Sequence, residues 1–513
     1  MREVHPFLNS IAMDDLERQN VRIGGRSDHN SLRVGNANDW DPGPGSVVTW
    51  KPTAASVANA RRAPTSPVPP SSMQAGHLRG YVDFRERGLD YSRTVMGSWD
   101  VPGRCDIRTM TYVLNAHFRR HATYHSWFEY NDAKQFVRHT IKDPRGIQFV
   151  AQEYGTMTQP EWRDHILAVP DPLQWDCFSF GIIQDEQRFT LYAVVDHLHC
   201  DPMLMAGFYV EILMTYNALR EGKAPAVLPP ATSYDEYCLR ESRQVSSMTL
   251  ESPEVRRWVA FAEANGGTLP DFPLPIDNRP IPCGGNVHFK RLLGSEQTIQ
   301  FETLCRQAGV RFSGGLFACA ALTHHELSGA NTYYGLTPVD KRKTPADFMT
   351  VGWFTGVVPF TVSVDPTSFA ATARAAQASF DANMDLANVP YDRVLELAPW
   401  LRRPGPQFTM INYMDVGLPP FSAIVASALN GVNAALLIDG RNPAFLYSTA
   451  FRLFDEISMM VSYPNNPIAG DSVNRFTETM KSVFLRTLAG GFGRDASPGG
   501  RSGIEDFACA PGN

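Results

Sequence analysis

The chain has 513 residues, 43% of them hydrophobic and 19% charged, with a formal net charge of -6 at pH 7. That makeup is globular and long enough for more than one core. The charge is spread along the chain without a basic block, which leaves no electrostatic footprint for nucleic acid, and no run of about 18 apolar residues offers a membrane span.

Residues 1–37 are polar and aperiodic and are expected to be a disordered leader, or an over-extended translation start, with the fold beginning near "DWDPGPG". Pro-rich "RRAPTSPVPPSS" (61–72) reads as a surface loop. "CDIRTMTYVLNAHFRRH" (105–121) is a helix: Ile107, Met110, Leu114 and Phe118 recur at three- and four-residue steps, with Asp106 as cap. "YHSWFEY" is strand-like, and "FSFGIIQ" and "RFTLYAVVD" are two strands joined by the turn "DEQ". "DPMLMAGFYVEILMTYNALREG" (201–222) then reads as a helix with Asp201 at the N-cap and Pro202 at its first position. Pro-rich crossings over 223–285 separate this half from a second one, in which "SGGLFACAALTHHELSG" and "TSFAATARAAQASFDANMDL" are helices and "NTYYGLTPV" and "GWFTGVVPFTVSV" strands. The expected division is a leader to 37, a first half over 38–222, the crossing, a second half over 286–489 and a flexible Gly/Ser/Pro tail over 490–513. Eight scattered cysteines without a CxxC pair fit a reducing, cytoplasmic setting.

The stretch "LYAVVDHLHCDPM" (191–203) concentrates the chemistry at a strand end. His197, His199 and Asp201 offer a zinc-ligand set, with further ligands to be found among His288, His324 and His325. They are equally a cap and two turn residues. In a third reading His197 is a general base, neutral enough at physiological pH to accept a proton, and Asp201 is its support.

"DHLHCDP" resembles the HHxxxDG motif of the condensation-domain and chloramphenicol-acetyltransferase-like superfamily. "RRHATYHSWFE" before it and "YGLTPVDKR", "VGWFTGVVPF" and "NVPYDRVLEL" after it occur in the same order as in the polyketide-synthase-associated (Pap) acyltransferases that esterify mycobacterial lipids, which the chain resembles. "DWDPGPGSVVTWKPT", "LQWDCFSFG" and "ESPEVRRW" are most similar to members that acylate trehalose or sulfated trehalose. The resemblance runs from about residue 38 to 485. It implies an α/β protein of two chloramphenicol-acetyltransferase-like subdomains, each a mixed sheet with helices, and an interdomain tunnel. The implied enzyme moves a long fatty or polyketide acyl group from a CoA or phosphopantetheine thioester to a hydroxyl of a trehalose-type glycolipid precursor, without a metal or tightly bound cofactor. His197 is then the base, Asp201 its support and Arg342 of "PVDKR" the ion-pair partner of Asp201; His199 packs. The tunnel walls are expected to include Met203, Leu204, Met205 and Phe208, apolar and close to the base, and Gly356, which replaces an asparagine common in condensation domains. Two further departures are Asp196 for the first histidine of the pair and Pro202 for the glycine, which removes a backbone N–H that could hold the thioester oxygen. His121 is expected to be structural, and Cys200 has no activating neighbour. A monomer is expected, contacting a polyketide synthase or lipid transporter, in the cytoplasm either freely or peripherally at the inner face of the plasma membrane. The rival readings are a metal-dependent hydrolase using "HLHCD" and a degenerate module that holds acyl carriers or lipid without turnover.

Overall fold

A computed structural model of the chain describes residues 32–491, apart from 90, 92, 170, 226, 278–283, 406, 419–431, 440–445 and 454–455. The expected leader up to 31 and the tail from 492 lie outside the described residues. The strands are β1 (Leu32–Asn36), β2 (Gly45–Pro52), β3 (Thr94–Pro102), β4 (Ser126–Tyr130), β5 (Phe136–Thr140), β6 (Phe149–Met157), β7 (Phe178–Gln184), β8 (Arg188–Asp196), β9 (Gly285–Leu293), β10 (Thr332–Asp340), β11 (Thr355–Ser363), β12 (Thr409–Asp415), β13 (Asn433–Ile438), β14 (Leu446–Leu453) and β15 (Glu456–Pro464). Seven form one sheet in the order β1-β13-β3-β8-β7-β2-β6, and β12-β14-β15-β9 form a second. β10 pairs antiparallel with β11, and β4 with β5. The protein is thus a mixed α/β molecule of two sheet-and-helix subdomains.

Two features depart from the expected division. Residues 32–36, expected to be leader, form β1, which runs parallel to β13. β13 itself belongs to the second half by sequence, yet it also pairs antiparallel with β3 of the first. The boundary at 223–285 therefore divides the chain but not the sheets, because a strand's partners are fixed by hydrogen bonding across space and leave no trace in local periodicity.

β8 carries the motif, and its two faces are both covered. Leu191, Ala193 and Val195 join the core that holds Trp50, Trp99 and Phe118, whereas Tyr192 and Val194 join a smaller cluster with Trp162 and Ile166 on the other side. A strand buried on both faces reads as a continuous apolar run, which is why "LYAVV" shows no alternation. The helix Ile107–Arg120 lays Met110, Val113, Leu114 and Phe118 on the first of these cores, and the Asp106 carboxylate accepts the N–H groups of Arg108 and Thr109. In the second half the helix Phe312–Ser328 is apolar all round and buried along nearly all of Phe312–Thr323; it packs on the helices Ser295–Gln307, Phe369–Ala382 and Pro467–Leu488 and ends at Gly329, whose φ of 75° suits a residue without Cβ.

The helix after the motif starts at Leu204 instead of Pro202, and a π turn, Tyr209–Leu213, interrupts it before Met214–Arg220. No helix among the described residues is long and apolar enough to cross a membrane.

Candidate active site

Three side chains that follow one another in the motif go three ways, because β8 ends at Asp196 and a tight turn replaces strand alternation. The Asp196 carboxylate accepts the Leu198 N–H at 2.8 Å, its carbonyl accepts the His199 N–H at 3.0 Å, and the His197 N–H donates to the Arg93 carbonyl at 2.9 Å. Leu198 is thereby driven into a cluster with Leu78, Phe128 and Cys177. His199 turns inward, its Nδ1 3.0 Å from Thr123 Oγ1 and its Nε2 3.1 Å from Cys177 Sγ; burial pushes its pKa down to about 4, so it is a neutral packed ring. His197 alone opens on a cavity.

The His197 ring lies against Trp353, with centroids 3.9 Å apart and planes 31° apart, and the Arg93 guanidinium sits 4.9 Å from the same indole centroid. Burial first, then the charges of Arg93 and His77, hold the pKa of His197 well below the usual histidine value, against a smaller opposing effect of the backbone of His197 and Cys200. The imidazole is neutral at physiological pH and can accept a proton.

Asp201 does not meet the cavity. Its two oxygens take a bidentate pair from Arg342, Nη1 to Oδ2 at 2.9 Å and Nη2 to Oδ1 at 3.1 Å, and further accept the N–H of Phe354 at 3.0 Å and of Met203 at 3.1 Å. Both side chains are at most 5% exposed. Burial would lower the guanidinium's pKa, but the charges of Asp201 and Asp340 outweigh it and hold Arg342 firmly protonated. The Asp340 carboxylate and the carbonyls of Asp347, Thr350 and Gly352 take its remaining N–H groups, so this buried pair meets the condition of satisfied partners that such pairs need. The clamp ties the motif of the first half to the strand β10 and the "VGWF" turn of the second. The Asp201 carboxylate is not the helix N-cap that the sequence predicts: the one local N–H it accepts, from Met203, lies before the helix, and its other partners come from the second half.

The cavity has a volume of about 460 Å³ and is walled by both halves: His77, Arg93, His197 and Pro202 from the first, and Gly356, Val389, Phe408, Met410, Asn412 and Thr449 among others from the second. Of the expected wall residues only Gly356 is there. Met203, Leu204, Met205 and Phe208 do not line it, which corrects that expectation. Leu204, Met205 and Phe208 belong to the core under the large sheet, where Phe208 stacks on Trp99 at 4.4 Å and Met205 fills the space left by the missing side chain of Gly97. A helix that is apolar on every side gives no sign of which face a cavity meets. Trp258, Leu269, Val389, Phe408 and Met410 supply the apolar wall instead.

Gly356 lies on β11 where a Cβ would collide with the Ala387 carbonyl oxygen and come within 2.9 Å of Lys341 Cδ. Backbone cannot yield as a side-chain end does, so the asparagine found there in condensation domains does not fit this chain. Gly356→Asn is expected to lower stability by about 1–3 kcal/mol, read as a fall in melting temperature, while Gly405→Asn, at a glycine with open space around it, leaves it unchanged.

Among the described residues one group, His117, His121 and Glu211, has the spacing of a metal site. The Val351 N–H donates to His121 Nδ1 at 3.3 Å, so the proton of that ring is on Nε2, which donates to Glu211 at 2.9 Å. A metal on Nε2 would move the ring's proton to Nδ1, where it would face the Val351 N–H. His121 instead ties the end of its helix to the turn that carries Trp353. Among the described residues the side chains of His197, His199 and Asp201 do not lie close enough to one another to share an ion, as the zinc reading of "HLHCD" requires. Cys200 is fully buried and burial raises its thiol well above the ordinary value. The six described cysteines are free and buried.

Sequence reasoning missed His77, Arg93 and Trp353. His77 could have been noticed: Ser71 and Gln74 form a capping box that starts the helix Ser72–Glu86 and places His77 two turns in. The Gln74 amide also donates to the Leu198 carbonyl at 2.8 Å, fixing that helix against the motif. Trp353 lay in a stretch singled out for resemblance, without a role attached.

Two α/β subdomains meeting at a cavity, with an imidazole on its wall and an Asp–Arg clamp behind, define the class. Residues 68–415 match the condensation-domain family, and the chain belongs to it, on its Pap O-acyltransferase branch. It is 47% identical over 460 residues to acyltransferase PapA3 of Mycobacterium tuberculosis, covering 90% of this chain and 98% of that protein. It is also 47% identical over 455 residues to trehalose-2-sulfate acyltransferase PapA2 of Mycobacterium bovis, covering 88% of this chain and 96% of that one. The solved structure of a PapA2 acyl transferase superposes with a TM-score of 0.85 at 45% identity, over 89% of this chain and 99% of that chain.

Proposed function

We propose that this enzyme moves a long fatty or polyketide acyl group from a CoA or carrier-protein thioester to a hydroxyl of a trehalose-type glycolipid precursor, with His197 as general base. The observation that carries this reading is the neutral imidazole of His197 opening on a cavity whose walls come from both subdomains. Nε2 of His197 takes the proton of the acceptor hydroxyl as its oxygen attacks the thioester carbonyl. The tetrahedral intermediate collapses with cleavage of the C–S bond, and the imidazolium returns the proton to the departing thiolate. No acyl-enzyme and no tightly bound cofactor enter this scheme. The trehalose-type acceptor rests on the names of the similar PapA proteins, and the apolar wall of Trp258, Leu269, Val389, Phe408 and Met410 favours a long chain.

The test is mass spectrometry of products from purified protein given acetyl-, palmitoyl- and longer acyl-CoAs with trehalose, trehalose 2-sulfate or a long-chain diol. Long-chain trehalose esters are the expected product. A preference for acetyl over palmitoyl in direct competition would sink the long-chain donor, and esterification of the diol alone would sink the sugar acceptor.

A further inference from the structure

Arg93 is joined to the base twice. Its carbonyl accepts the His197 N–H at 2.9 Å, which ties the backbone entering β3 to the motif turn. Its guanidinium sits 4.9 Å from the centroid of the same indole against which the His197 ring lies at 3.9 Å. Trp353 is buried, so cation and base share a fixed platform. The Arg93 side chain also hydrogen-bonds Tyr91, and its charge reaches Tyr447 of β14. Arg93, Tyr91, His197 and Tyr447 all line the cavity. A half-buried cation, held by groups from both halves, thus borders the space in which the base works.

In the free enzyme this placement works against the reaction. Burial is the largest cause that holds His197 below the usual histidine value, and the charge of Arg93 is the next; both disfavour the imidazolium that forms when the base takes the hydroxyl proton. The balance changes once a negative charge develops in the cavity. As the acceptor oxygen bonds to the thioester carbonyl carbon, the C=O π pair moves onto the carbonyl oxygen, and imidazolium and oxyanion appear together. A guanidinium beside that oxyanion offsets its own repulsion of the imidazolium, and it does so only in the tetrahedral state, which is the condition for raising kcat. Arginine suits the task, because it keeps its charge at any pH an enzyme meets and its five N–H donors hold protein groups and a ligand oxygen together. Pro202, on the same cavity wall, brings no N–H of its own.

We propose that the Arg93 guanidinium donates to the oxyanion of the tetrahedral intermediate, as a second catalytic group beside His197. The inference rests on the acyl-transfer reading above and gives the thioester oxygen the partner that reading lacks. Arg93 forms no covalent bond and keeps its proton throughout. When the intermediate collapses, the electron pair on oxygen restores C=O, the C–S bond breaks, and the imidazolium proton passes to the thiolate.

The experiment follows kcat and KM against pH for the full-length enzyme and for Arg93→Gln, Arg93→Met and Arg93→Lys, with palmitoyl-CoA and either trehalose or trehalose 2-sulfate. In Arg93→Gln the plateau of kcat is expected to fall about 10²- to 10³-fold with both sugars. Its acid limb is expected to move to higher pH, because burial still holds His197 down but the charge of Arg93 no longer does. Arg93→Met keeps an unbranched stem against Trp353 without the charge and is expected to show the same fall, so the result stands even if Arg93→Gln melts far below the parent. Arg93→Lys keeps a cation without the planar fork; it is expected to lose less and to keep the parent's acid limb. A plateau that holds or rises while the limb moves would mean that Arg93 only tunes the base. An effect confined to KM for trehalose 2-sulfate would mean that it grips a sulfate on the acceptor, and a fall that Arg93→Lys shares in full would mean that packing on Trp353 was what was lost. Each of these overturns the proposal and leaves the acyl-transfer reading in place. A parent enzyme that esterifies neither sugar overturns that reading itself, and the role of Arg93 falls with it.

Discussion

Replacement of His197 by alanine is expected to lower turnover by about 10²- to 10⁴-fold while the protein keeps its fold. The side chain opens on the cavity and contributes little to either core, so its loss removes the proton acceptor without removing packing; circular dichroism and melting check this. The pH dependence follows from the environment. Burial and the neighbouring Arg93 and His77 disfavour the imidazolium, so His197 stays neutral as pH falls through the usual histidine range. Activity in kcat/KM should accordingly persist below pH 6.5 and decline only at more acid pH, when the base is at last protonated. A rate within a few-fold of the parent in His197→Ala, at any pH, would remove this residue from the chemistry.

The second large effect is expected at the Asp201–Arg342 clamp. Asp201→Asn keeps one acceptor oxygen where the Phe354 and Met203 N–H groups use two and removes the closer of the two carboxylate charges that face the buried guanidinium, and Arg342→Ala leaves a buried carboxylate opposed only by N–H donors. Each should cost about 3–5 kcal/mol of stability. The double variant should be less harmful than the sum, by a coupling of about 0.5–3 kcal/mol. Turnover should fall along with stability in both single variants, since the clamp fixes the turn that holds His197 to the one that holds Trp353. Additive losses on melting would mean that the two side chains act independently, and would reduce Asp201 to a local turn residue.

Much of this site was legible in the residues, and the failures have physical causes. The apolar run of β8 ending in "DHLHCDP" marked a buried strand with polar groups at its end, and the ordered motifs carried the family. What could not be read were side chains delivered from afar. His77 and Arg93 precede the motif by about a hundred residues, and Trp353 follows it by more than that; nothing in their local patterns says that all three converge on His197. The wall residues failed for another reason. Met203, Leu204, Met205 and Phe208 follow the base in sequence, but adjacency along a helix gives every direction around its axis, and here the chain turns three of them under the sheet. Gly356 was noticed as a substitution, yet only the position of the Ala387 carbonyl explains why it lacks a side chain.

The insertion of β13 between β1 and β3 bears on how the molecule is made. While synthesis proceeds, the first half emerges with the edge of β3 (Thr94–Pro102) unpaired on one side and β1 without any neighbour, and both wait until Asn433–Ile438 has left the ribosome. For that interval an edge rich in apolar side chains presents free N–H and C=O groups to any passing strand. The nascent first half is thus most open to aggregation before β13 arrives; expressed alone it would lack that strand, while the second half would keep its own sheet and carry β13 without partners.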